Sequence, residues 1–231
     1  MRKLTVHSEI LYVLAIVLLA FSVAMLSSVD FGLSMIVAPA YVLSQKFTFL
    51  TFGQAEYVIQ GILFIVFCII MRRVRLVYLV SFLTCIIYGL VLDFWRLVIP
   101  MFNPLITEPG SMHIALRIIF FIVGELITGF SVALFFKVYI FPQVSDFFVT
   151  GITTKYNIKV SKFKTFYDLS YLVVAVVMSL IFFKSLVGIS FGTVILAVTN
   201  GSVIGFFFNL IEKRLNIIPL FPKFARLFTL P

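Results

Sequence analysis

The chain has 231 residues, of which 62% are hydrophobic and 12% charged, with a mean hydropathy of +1.19 and a formal charge of +9. So little polar surface excludes a soluble globular domain and makes lipid the solvent. The excess of cations does not describe a nucleic-acid binder, because the lysines and arginines flank apolar runs instead of gathering on one polar face.

Six apolar segments reach spanning length, at about 9–28, 54–71, 74–95, 112–140, 166–183 and 187–211. The first follows Arg2 and Lys3 and reads as a retained helix rather than a cleaved signal peptide, since its apolar run exceeds the ~15 residues of a signal core. Between the first two segments, Leu33 to Phe47 is too short to span and is interrupted by Pro39. It is either re-entrant or a helix lying in the interface, the interfacial arrangement being preferred. Gln60 lies within the second segment, and Tyr88 within the third. The third closes with Asp93, Trp95 and Arg96, where Asp93 and Arg96 are three residues apart and share a helix face. With Arg117 at the start of the fourth segment, they are read as an outer gate or, alternatively, as a solvated interfacial pair beside a snorkelling arginine.

Glu125 sits about 12 residues into the fourth segment, or ~18 Å of helix rise, which is close to the bilayer midplane. An exposed carboxylate there costs at least a few kcal/mol. The side chain is therefore expected to face the bundle interior, to be protonated, or to pair, and it is the leading candidate for coupling or substrate binding. After it, Phe141 to Tyr156 forms a second short connector with Pro142 near its start. In the last segment, Thr199, Asn200 and Ser202 bring polar side chains to mid-membrane, while Gly201 and Gly205 are spaced for close helix packing. Thr199, Asn200, Gln60 and Tyr88 complete the candidate binding set. Cys68 and Cys85 read as small apolar residues, and His7 and His113 stand apart, so no metal site and no cofactor are expected. Neither a phosphate loop nor a nucleophile triad is present, and enzymatic activity is not expected.

Orientation follows from the cations near helix ends. Fourteen of the 18 lysines and arginines fall on one side of an alternating topology: Arg2, Lys3, Arg72, Arg73, Arg75, Lys137, Lys155, Lys159, Lys162, Lys164, Lys213, Arg214, Lys223 and Arg226. Lys46, Arg96, Arg117 and Lys184 fall on the other. Both termini are thus expected in the cytoplasm. A shift of 112 residues brings Glu56 onto Asp168, Gly89 onto Gly201 and Asp30 onto Pro142. This suggests two repeats, about 1–106 and 107–231, within one membrane domain. Three helices per repeat would make the copies inverted, an arrangement that secondary transporters use to place solute near the midplane.

The stretches Asp30-Phe31-Gly32-Leu33-Ser34, Leu50-Thr51-Phe52-Gly53-Gln54 and Tyr88-Gly89-Leu90-Val91-Leu92-Asp93, with Val187-Gly188-Ile189, Gly192-Thr193 and Asn200-Gly201, resemble the bacterial YczE/YyaS/YitT-like integral membrane proteins. The resemblance implies a multi-pass permease of the bacterial plasma membrane, and it supplies no catalytic residues. The leading expectation is a secondary transporter of a small solute, in the bilayer, as a single chain or a homo-oligomer. The alternatives are a non-catalytic binding subunit or scaffold that depends on a partner such as an ATPase, and an intramembrane enzyme with a second reactive group near Glu125.

Overall fold

The computed structural model describes residues 4–72 and 78–228. Arg2, Lys3, Arg73 and Arg75, which bear on orientation, lie outside the described residues. Among those described, six helices are long and apolar enough to cross a membrane: α1 (Ser8–Val29), α3 (Phe52–Met71), α4 (Tyr78–Val98), α5 (Ile114–Phe135), α7 (Val160–Phe183) and α8 (Phe191–Arg214). At 1.5 Å per residue they measure roughly 30–36 Å, the thickness of a hydrocarbon core. Two shorter helices fill the connectors, α2 (Ala38–Lys46) and α6 (Val144–Tyr156). The chain therefore runs long, short, long, long, and then repeats that order from α5.

Helix ends are set by local chemistry. Thr51 accepts from the Gln54 amide while the Gln54 side chain accepts from the Thr51 amide, which closes a capping box on α3. Asp93 of α4 reinforces that end, its carboxylate accepting from the Thr51 hydroxyl at 2.5 Å and from the Gly53 amide at 2.9 Å. At the other ends, Asp30, Arg72, Asn157 and Lys184 turn left-handed and stop α1, α3, α6 and α7.

The core is built around α1, whose Ala15, Ala20, Ala24 and Val29 are fully buried against α4 and α5. Small side chains let α1 and α5 approach: Gly124 faces Leu26, and the Thr128 hydroxyl donates to Ser22 at 2.9 Å. The outward faces of α7 and α8 carry Val173, Ile181, Val198 and Phe206, between 60% and 74% exposed. With lipid as solvent these need no further cover.

Two boundaries differ from the sequence reading by five residues or more. α5 ends at Phe135 rather than near Ile140, because residues 136–143 leave the helix to enter the bundle. α7 begins at Val160 rather than Phe166, and one of its early charges is matched in place: Lys164 lies 2.8 Å from Asp168 and 4.0 Å from Asp146 of α6. The tails also acquire structure. β1 (Leu4–His7) and β2 (Leu215–Ile218) pair in parallel from Leu4 with Leu215 to His7 with Ile218, which puts both ends of the bundle on one face. The Glu9 carboxylate secures them, accepting from the amides of Leu220 and Phe221 and from the Tyr139 hydroxyl at 2.5 Å.

Candidate functional site

The second connector determines the geometry of the interior. Leaving α5, the chain passes α1 at the face that carries the tails, where the Tyr139 amide donates to Ser8 Oγ at 3.3 Å. It then descends: the Phe141 carbonyl meets Thr84 of α4 at 3.3 Å, and Gln143 meets Gln60 of α3 at 2.9 Å. Gln60 is the ninth residue of α3, so this point is ~12 Å along a helix of ~30 Å. From there α6 climbs back alongside α3, Gly151 packing on the Phe67 ring and Lys155 Nζ reaching the Ile70 carbonyl at 2.7 Å. With 13 residues and most of its side chains buried, α6 is a half-span helix whose N-terminus sits deep between α3 and α4. Non-helical backbone at that depth is tolerated because it lies within protein.

A polar cluster occupies the place where α6 begins. Gln60 uses every hydrogen-bonding position of its amide. Its Nε2 donates to Glu56 Oε2 at 3.2 Å and to Gln143 Oε1 at 2.9 Å, while its Oε1 accepts from the Cys85 thiol at 2.8 Å and from the Ser145 amide at 3.4 Å. Glu56 and Gln60 are 2% exposed and Gln143 is 8% exposed. Among the described residues two atoms of the cluster are buried without a partner: Glu56 Oε1, an acceptor, and Gln143 Nε2, a donor. Among the described residues no cation pairs with Glu56. Tyr88, fully buried on α4, adjoins the cluster through the α3–α4 seam.

The other candidates lie elsewhere. Thr199 of α8 donates to Glu125 of α5, so those two are brought together on the α5–α8 boundary, where both are half-buried. Asn200 turns away from them into a small enclosed cavity that also touches Ser34, Thr128 and Leu196. Its Oδ1 is buried without a partner among the described residues, and the cavity has room for about one water. Neither Glu125 nor Gln60 lines that cavity. The candidate set thus divides into three: Gln60 with Tyr88, Glu125 with Thr199, and Asn200 at its own cavity.

Of the outer charges, Asp93 and Arg96 meet at the start of α3, and Arg117 lies apart from them at the end of α1. Asp93 caps α3. Arg96 is 9% exposed, lies 5.2 Å from the centroid of the Phe52 ring, and leaves its Nε without a partner among the described residues. Arg117 closes the end of α1: its Nε donates to the Val29 carbonyl at 2.7 Å, and its guanidinium stacks 4.4 Å from the Phe31 ring centroid. Beside it, burial pushes the Asp30 carboxyl up from its ordinary value, and the Arg117 charge opposes that shift. Asp93 and Arg117 secure helix ends, and Arg96 lies over the first residue of α3, where α1, α3 and α4 meet the membrane face opposite the tails.

Sequence reasoning does not single out Glu56, Gln143 or Cys85 as site residues. A signal for Glu56 is present: an acid and an amide at i and i+4 in an apolar segment must share one face, and lipid does not accept that face. Nothing in the sequence places Gln143 opposite them, because depth within the bilayer is not encoded in a 13-residue helix.

Residues 6–209 match the model of a family of unknown function, DUF6198. The chain belongs to this family. No curated protein and no solved structure matches it. The family match runs from α1 to the last turn of α8, so in this member of DUF6198 the Glu56 cluster and the Glu125–Thr199 pair both fall inside the family's region. An uncharacterised family agrees with the likeness to a little-described group of membrane proteins, and it assigns no activity.

Proposed function

We propose that this membrane protein is a secondary transporter of a small polar solute, with Glu56, Gln60 and Gln143 as its site. The observation that carries the reading is a buried carboxyl with one free oxygen, at the tip of a half-span helix. Interrupted helices that end inside the bilayer are the usual means by which transporters offer backbone and side-chain polar groups to a solute. A carboxyl with no cation beside it holds or releases a proton according to what faces its free oxygen, which would couple solute to proton. Solute would bridge Glu56 Oε1 and Gln143 Nε2, completing the two valences that the closed cluster leaves open. The recurrence of long, short, long, long supports the reading of two repeats, and movement of α6 with α7 against α3 and α4 would open the cluster. By the cation count, the face bearing the tails is the cytoplasmic one.

Cys85 supplies the test, because it is native, fully buried and hydrogen-bonded within the cluster. In a Cys68→Ser background in proteoliposomes, a transporter exposes Cys85 to a small membrane-impermeant thiol reagent when a pH gradient is imposed, and Glu56→Gln changes that rate. A scaffold or a partner-dependent binding subunit would leave Cys85 unreactive under every condition.

A further inference from the structure

Where α3, α6 and α7 converge towards the face that carries the tails, they leave a groove of about 440 Å³. Its walls include Ile70, Phe148, Tyr156, Phe163, Phe166 and Tyr171. Phe148, Phe163 and Tyr167 lie nearly parallel, with interplanar angles of 22° to 26° and centroids 5.5 to 6.4 Å apart, so one wall is smooth and aromatic. Phe166 and Tyr156 are 70% and 54% exposed, which leaves the groove open to the surrounding lipid.

The mouth is cationic. Lys155 bonds the carbonyl of Ile70, Arg72 ends α3 two residues further on, and Lys159 and Lys162 each precede a groove aromatic, Phe163 and Phe166, by one helical turn. All four are exposed. The acids of this region, Asp146 and Asp168, are already matched to Lys164. Apolar walls below a cluster of cations with no acidic partner among the described residues complement a molecule with a hydrocarbon chain and an anionic head. We propose that the groove binds one acyl chain of an anionic phospholipid, with the lipid phosphate held by Lys159 and Lys162 at the mouth. A bound chain would brace α7 against α6, the helix whose tip carries Gln143. Lipid binding here does not depend on transport.

Native mass spectrometry of the full chain, titrated separately with phosphatidylglycerol and phosphatidylcholine, tests it. One phosphatidylglycerol should be retained, with a preference over phosphatidylcholine of about tenfold, the scale set by one or two lysines meeting a phosphate at the surface. Replacing Lys159 and Lys162 together by Gln should reduce the preference to about twofold or less. Ser170→Phe, which fills the groove, should displace the lipid, whereas Lys213→Gln with Arg214→Gln on the same membrane face should leave it bound. Equal retention of the two lipids, an unaltered preference in the Lys159/Lys162 variant, or loss in the Lys213/Arg214 control would overturn the proposal. So would a lipid-free dimer, which would place a second copy on this surface. If Ser170→Phe does not fold, the exposed lysine pair still decides the matter.

Discussion

The third and fourth helices of the two halves have similar apolar character, yet they pack differently. α3 and α4 touch along their length through Gly53 and Gly89, where a Cβ at Gly53 would collide with the Gly89 carbonyl and one at Gly89 would come within 2.7 Å of the Gly53 carbonyl oxygen. α7 and α8, also consecutive, do not pack along one another among the described residues, and Gly201 and Gly205 of α8 have nothing within 4 Å of a Cβ. The close packing expected at those two glycines is thus found at Gly53 and Gly89 instead. A glycine spacing in an apolar helix gives permission for close approach, and whether a neighbour uses it depends on tertiary placement. In this molecule the closed half holds the Glu56 cluster, and the open half presents Glu125 and Thr199 at a boundary.

Substitutions can break or sharpen this contrast. Phe67→Ala removes a fully buried ring that meets Gly151, Tyr78 and Phe147 where α6 docks, and should cost about 3–5 kcal/mol in detergent unfolding. Gly53→Ala forces α3 from α4 against backbone, and about 2–3 kcal/mol should be lost. Asp93→Ala removes the acceptor of the Gly53 amide and of the Thr51 hydroxyl, and a fall of about 1–2 kcal/mol is expected in the same assay. Gly201→Ala should change stability by less than about 0.5 kcal/mol. If it cost as much as Gly53→Ala, the openness of α8 would be wrong.

The spanning helices are legible because about 20 consecutive apolar residues suit a bilayer and little else. Whatever depends on polar groups finding partners is not. Lys162, Lys164 and Asp168 hide the first turns of α7, since hydropathy cannot anticipate that Asp146 arrives from another helix to share Lys164. Tyr139 and Ile140 extend the apparent fourth span, although their apolarity serves burial of the descending chain. The pairing of Leu4–His7 with Leu215–Ile218 joins residues some 211 positions apart, beyond any local pattern. Glu125 stands out because it is alone at mid-helix, while Glu56, near the start of a segment, looks peripheral until Gln143 is placed against its neighbour Gln60.

The most direct test compares the two acids in one assay. Proteoliposomes loaded with a pH-sensitive dye and challenged with a panel of amino acids, sugars, organic acids and ammonium would report proton movement that accompanies solute. Wild type and Glu125→Gln should both move protons with one of these solutes, and Glu56→Gln should not. Proton movement that survives Glu56→Gln and disappears in Glu125→Gln would contradict the assignment and return the site to the α5–α8 boundary.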